Sequence, residues 1–183
     1  VLGNDGKTVE HGRALGVQAP NIGLADLIAD INAGAVKTLI MHGSVNPVYS
    51  SPLAKDFVEA LKKVKLVVST ADRNDETSQY ADYVLPDNHV MEGWNDAQPV
   101  EGLFVLQQPT IRPMYDTRSF QLTLMSWAYL AEKGPKRLTE FETYYDYLRA
   151  YWRTEIAPKV GGGKAFDDFW DQTLQNGFAG TAL

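Results

Sequence analysis

The chain contains no cysteine. That absence excludes a disulfide framework, a cysteine-ligated zinc, an iron–sulfur ligand and a cysteine nucleophile within these residues. No apolar run approaches the roughly 20 residues of a membrane-spanning helix. Histidine is scarce: His11, His42 and His89 are the only three, and no pair has a metal-binding spacing such as HExxH. Basic residues are outnumbered, with Lys plus Arg at 17 against Asp plus Glu at 23, a net charge of -6. This balance argues against a nucleic-acid binder, which concentrates positive charge on one face. There is no internal repeat and no low-complexity tract.

What remains is an ordinary globular composition. At 183 residues, with 44% hydrophobic and 22% charged, the chain buries enough surface to fold without staples. It opens Val1-Leu2-Gly3-Asn4, without methionine or a signal-peptide pattern. That opening leads us to expect a piece of a longer protein.

Residues 1–22 read as an irregular leading segment. Leu24, Leu27, Ile28 and Ile31 then fall at i, i+3, i+4 and i+7, one apolar helical stripe. Asn21 is its expected cap and Gly34 its terminator. Val36–His42 is a short apolar strand, ending in the turn-rich loop Gly43-Ser44-Val45-Asn46-Pro47. Ser51 caps and Pro52 opens a second expected helix, with Phe57, Val58 and Leu61 on its apolar face. Leu66–Thr70 is a second strand, apolar enough to be covered on both faces. Asp75 is the expected cap of a short helix running to Ala81, and Tyr83–Leu85 is a third strand stopped by Pro86.

Alternation of helix and strand at this spacing predicts an α/β fold with a doubly wound, mainly parallel sheet and flanking helices. Functional residues in such sheets lie beyond the carboxyl ends of strands. Here those loops are Gly43–Ser51, Ser69–Asp75 and Pro86–Ala97. They are expected to face one crevice, with Asn46 and Thr77 on the same side of the molecule. Further on, Gly102–Gln107 reads as an edge strand. Three helices follow: 118–132 with Phe120, Leu124, Trp127 and Ala128; 140–155 with a broad stripe of Phe141, Tyr144, Tyr145, Leu148, Tyr151 and Trp152; and a last one with Phe166, Phe169, Trp170 and Leu174. We expect residues 1–117 to form the α/β domain and 118–183 a helical extension.

Each chemical motif has a plain structural alternative. The loop at Gly43 suits a ligand's close approach, and Asn46 offers both a donor and an acceptor; an ordinary strand-to-helix turn explains it equally. Asp72-Arg73-Asn74-Asp75-Glu76 departs from a calcium loop, because Thr77 stands where glycine is required. Gly161-Gly162-Gly163-Lys164 lacks the phosphate-loop spacing, and Ala165 replaces its hydroxyl residue. Trp94 either stacks on a planar ligand or anchors its loop to the core. No nucleophile–base pair or carboxylate dyad can be placed, so the residues assign no catalytic or metal-binding group.

Four segments together carry a resemblance: LIADINAGAVKTLIMHGSVNPVYSSP, FVEALKKVKLVVST, DETSQYADYVLP and EGWNDAQPVEGLFVLQQPTIRPMYDTRS. They resemble a domain of the molybdopterin oxidoreductase superfamily. More narrowly, they are similar to the iron–sulfur, molybdopterin-oxidoreductase-like subunit of alternative complex III, a quinol:electron-acceptor oxidoreductase. In the enzymes, the resemblance implies an α/β unit gripping one arm of a molybdopterin guanine dinucleotide. Carried over residue by residue, it implies cofactor contacts at Gly43, Asn46 and Pro47 in the first loop, and at Ser69, Asp72 and Thr77 after the second strand. Glu76 and Asp82 match the same TETxxxAD-like segment.

The departures have a direction. The first loop has one extra residue, Ala71 stands where the enzymes often place an acid, and WNDAQPVEG replaces their glycine–threonine–asparagine stretch. These point to the alternative complex III subunit, whose matching region is thought to hold no molybdenum. The resemblance therefore implies a non-catalytic scaffold in a membrane-associated redox complex, at the extracytoplasmic face. Its partners would be other domains of the parent chain and other subunits, with no nucleic acid and no membrane span of its own. Any iron–sulfur clusters would be held elsewhere in the parent. Two alternatives stay open: the guanine-dinucleotide-binding part of an active molybdopterin oxidoreductase, and a free-standing nucleotide-binding protein.

Overall fold

A computed structural model describes residues 3–4, 6–8, 12, 23–43, 45–131 and 134–180. Most of the leading segment, including His11 and the expected cap Asn21, lies outside the described residues, as does Ser44. The chain divides into two compact units, one of residues 20–93 and 109–144, the other of 1–19, 94–108 and 145–183.

The first of these units is built on a parallel three-stranded sheet. Helix α1 (Leu24–Asn32) precedes strand β1 (Thr38–Met41), followed by one-turn α2 (Pro47–Ser50), α3 (Ala54–Leu61), β2 (Leu66–Ser69) and β3 (Tyr83–Val84). The strands stand in the order β1-β2-β3, with Ile40 beside Val68 and Val68 beside Tyr83. Adjacent strands running the same way need the intervening helices as crossovers. The core lies against α1 and α3: Ile28, Ile31, Met41, Phe57, Leu61 and Val67 are buried together, and Leu24 and Leu27 pack at its margin. This is the apolar stripe expected from the sequence. Burying a side chain of this size contributes about 1.5–3 kcal/mol.

Helix α1 ends as expected at Gly34. Its φ of +75° lets the Gly34 N–H reach the Ile31 carbonyl and the Ala35 N–H reach the Asp30 carbonyl, the paired closure of a left-handed cap. The second helix departs from expectation. Pro47 opens the extra turn α2, and α3 starts at Ala54 rather than at Pro52. Ser51 still turns the chain there, its hydroxyl accepting from the Leu53 N–H at 3.1 Å. The helix expected from Asp75 to Ala81 is only a 3-10 turn, Ser78–Tyr80. Asp75 does cap it, its Oδ1 accepting from the N–H groups of Thr77 and Ser78 at 3.0 and 2.7 Å. Helices α4 (Phe120–Leu130) and α5 (Lys136–Thr139) complete this unit. On α4 the buried side chain is Met125, and Leu124 is exposed. Of the apolar stripe read from the sequence, Leu124 is exposed, while Phe120, Trp127 and Ala128 are half-buried.

The other unit carries an antiparallel sheet in the order β4-β5-β6: β4 (Asn95–Val100), β5 (Leu103–Gln107) and β6 (Phe178–Gly180). The expected edge strand at 102–107 is therefore central, paired on both sides. The edges are β4 and β6, and β4 carries Pro99 where the register shifts between Ala97 and Val100; a proline without an N–H is tolerated at such a place. Helix α6 (Tyr144–Tyr151) runs into a wide π turn (Trp152–Ile156) and then α7 (Ala157–Val160). The Ala157 N–H bonds the Trp152 carbonyl five residues back. Pro158 explains the widening, because its ring would clash with the carbonyl four residues earlier in a regular helix. Helix α8 (Phe166–Asn176) follows. Leu148, Trp152, Ile156, Phe169 and Trp170 are buried. The Trp152 Nε1 donates to Asp96 Oδ2 at 2.9 Å.

The architecture is mixed α/β with a parallel sheet, flanking helices and helices toward the C-terminus, as the sequence led us to expect. Among the described residues, no helix is long and apolar enough to cross a membrane.

Candidate functional site

The turns that follow β1 and β2 meet. Asn46, at the end of the first loop, accepts through Oδ1 from the Thr77 hydroxyl at 2.6 Å. Its Nδ2 donates to Glu76 Oε2 at 2.7 Å. The Thr77 hydroxyl in turn accepts from the Val48 N–H of α2 at 3.0 Å. Thr77 is almost fully buried, so its hydroxyl needs these partners. Asn46, Val48, Glu76 and Thr77 thus form one polar clip across two turns. The Asn46 amide holds the Glu76 carboxyl below its ordinary range, because a donor to a carboxylate favours the charged form.

A second contact lies one step back along the strands. Gly43, with φ +73°, turns its N–H toward Thr70 Oγ1 at 3.3 Å. That left-handed backbone is one glycine adopts at no steric cost. The same hydroxyl lies 2.9 Å from His42 Nδ1. The His42 ring stacks on Phe120, with centroids 3.8 Å apart, and its Nδ1 stands 3.7 Å from Asp87 Oδ2. Asp87 Oδ1 accepts from the Phe120 N–H at 2.7 Å and the Asn88 N–H at 2.8 Å. A carboxylate at the start of α4 suits the positive end of that helix.

The residues singled out from the sequence are accounted for as follows. Gly43, Asn46, Pro47 and Thr77 gather at the strand ends; Pro47 is the first residue of α2. Ser69 is buried at the end of β2, its hydroxyl accepting from the Ala71 N–H at 3.2 Å. Asp72 is exposed and forks onto Arg73 at 2.9 and 3.1 Å. That bidentate hydrogen bond holds its carboxyl below the ordinary range. Asp82 locks β2 to the turn before β3: its Oδ2 accepts from the Val67 N–H at 2.7 Å, and its own N–H donates to the Val67 carbonyl at 2.8 Å. Trp94 packs on Tyr145, with centroids 4.7 Å apart, an anchor within its own unit. His89 caps a 3-10 turn (Val90–Glu92) with Glu92.

Thr70, Asp87 and Phe120 were missed by sequence reasoning. Thr70 had a signal, a hydroxyl pair with Ser69 closing an apolar strand. Phe120 had none, since its place beside His42 depends on a chain reversal 78 residues later in sequence. Beside these groups a groove of about 360 Å³ opens, its lining including Asp72, Asp87 and Glu92 together with Met91, Ile111 and Met114. Among the described residues, no group of three or more His, Asp or Glu is placed to hold a metal ion.

Comparison with known proteins places this geometry. A family model described as molybdopterin oxidoreductase matches residues 4–120. Among solved structures, acetylene hydratase from Pelobacter acetylenicus is similar at 18% sequence identity, with a TM-score of 0.61. The alignment covers 87% of this chain and 21% of that one. At that identity the likeness is one of fold. No curated protein matches.

Proposed function

The chain belongs to the molybdopterin oxidoreductase family, and on that premise we propose that it is a cofactor-type α/β unit retained as a scaffold in a redox subunit, without an active site of its own. The observation that carries this reading is the closure of the strand-end polar groups on one another. The family implies a molybdopterin cofactor, and its dinucleotide form would bring a pyrophosphate to these turns. A loop that grips pyrophosphate presents free N–H groups. Here the Gly43 N–H is spent on Thr70, the Val48 N–H on Thr77, and the Thr77 and Ser78 N–H groups on Asp75. The Asn46 amide is spent on Glu76, and the Thr77 hydroxyl on Asn46.

Charge points the same way. Asp72, Asp75, Glu76 and Asp87 follow β2 and β3, and the one arginine between them, Arg73, is tied to Asp72. An anionic group entering here meets like charges, which favours its exclusion. These closed hydrogen bonds and like charges support the reading that no pyrophosphate-bearing group is held here.

On this reading the parent is similar to the alternative complex III subunit, and its iron–sulfur clusters sit on other regions, since this chain has no cysteine. Other domains of that chain and other subunits would be its partners. Metal analysis of the purified parent protein, with acid release of bound nucleotide, tests the proposal. We expect neither molybdenum nor tungsten and no guanine nucleotide. One metal and stoichiometric guanine nucleotide per chain would overturn it. They would support the second reading, in which Gly43, Asn46, Pro47, Ser69, Asp72 and Thr77 contact a guanine dinucleotide. The observation favouring that reading is the convergence of the first two loops at Asn46 and Thr77.

A further inference from the structure

The groove after β2 and β3 is lined by both apolar and acidic side chains. This inference rests on the reading above that no dinucleotide fills this end of the sheet. Met91, Met114 and Tyr115 are 52%, 72% and 77% exposed, and Ile111 lies with them around one concavity. Single exposed apolar residues are ordinary on a surface; several around one hollow are not. Methionine is unbranched and polarisable, and reshapes itself around different apolar surfaces. The Thr117 hydroxyl, which also lines the groove, is buried without a hydrogen-bond partner among the described residues.

The lining is acidic; Asp72 is paired with Arg73, and Asp87 Oδ2 stands 3.7 Å from His42 Nδ1. Asp87 is held by the N–H groups of Asn88 and Phe120, and Glu92 by those of His89 and Met114. These donors are neutral, so they fix the carboxylates in place and leave their charge. Among the described residues, no lysine or arginine lines the groove. An acidic peptide would meet like charges here, and a second copy of this chain would bring its own net charge of -6.

We infer that the groove docks a basic amphipathic segment of a partner polypeptide. The segment's apolar face seats on Met91, Met114 and Tyr115, and its Lys or Arg side chains face Asp87 and Glu92. Charge complementarity of this kind sets specificity and speeds encounter, and an apolar helix face in a methionine-lined groove is a recurrent recognition mode.

The test uses the full-length protein and two helical peptides of equal length, one of Leu and Lys and one of Leu and Glu, followed by fluorescence anisotropy. We expect saturable binding of the Leu/Lys peptide that weakens as salt is raised. Binding should fall by about tenfold or more, or 1.4 kcal/mol, for the Leu/Glu peptide and for the M91Q/M114Q protein. Both substitutions are on exposed side chains, and an unchanged circular dichroism spectrum confirms the fold. Equal binding of both peptides, no binding of either, or binding indifferent to M91Q/M114Q overturns the docking alone. Guanine nucleotide released from the same preparation overturns the scaffold reading and the docking with it.

Discussion

The Thr77 hydroxyl donates to Asn46 Oδ1 across 2.6 Å, joining two turns 31 residues apart. One hydrogen bond thus fixes the spacing of the loops that follow β1 and β2. Its atoms are also ones that could meet a ligand, and the proposed scaffold reading rests on their use inside the protein.

The clip should behave as one unit. Thr77→Val leaves the Val48 N–H and the Asn46 carbonyl oxygen without their partner, and is expected to cost about 1–3 kcal/mol. Asn46→Ala removes the other end and should cost a similar amount. Urea denaturation of the two single variants and the double variant measures their coupling. The double variant should lose about 0.5 kcal/mol or more less than the sum of the singles. Strict additivity would mean that the two residues act independently.

Glu76 should titrate low. The Asn46 amide depresses its carboxyl in the folded state, so the folded protein holds this proton less tightly than the unfolded chain does. Its stabilising contribution is present above the unfolded carboxylate value and is lost as pH falls through the depressed folded value. Asp72 follows the same sign through its Arg73 partner. Carbon-detected NMR titration of the carboxyls is the direct measurement. Asn46→Ala should return Glu76 toward its ordinary range and leave Asp72 where it is.

Trp152 provides a test in the antiparallel unit. Its indole N–H bonds Asp96 at 2.9 Å while the ring is fully buried. Trp152→Phe keeps an aromatic ring but removes that donor to Asp96 and is expected to cost about 1–3 kcal/mol. Asp96→Asn, which keeps an acceptor oxygen, should cost less. Thermal unfolding of the two variants compares them, and equal losses would mean that the carboxylate's charge, and not merely an acceptor oxygen, carries the bond.

Phe57→Ala is the reference for the parallel unit's core. Phe57 is almost fully buried between α3 and the sheet residues around Val67, and its truncation should cost about 3–5 kcal/mol. A much smaller loss in urea denaturation would mean that the core collapses into the cavity.

The parallel strands were legible because each is a short apolar run bounded by a turn signal. Helix α1 was legible through its spacing and Gly34. The antiparallel sheet was less so. The polar run Asn95–Val100 carries a proline, and β6 is only three residues long, so neither has the alternation that marks a half-buried strand. At the site, the sequence pointed to the loops that meet, but not to the bond between Asn46 and Thr77. Their mutual bond spans 31 positions, and nothing in a linear sequence marks two polar loop residues as each other's partner.

The wide turn at Trp152–Ile156 has a consequence for alignment. Leu148, Trp152 and Ile156 are all buried, at a spacing of four residues. In a uniform α-helix each such step overshoots a full turn by about 40°, and the third side chain would swing off the line of the first. A broader loop of backbone absorbs that surplus and keeps the three in file. Deleting one residue here would give a tidier helix, yet would rotate every later side chain out of its seat.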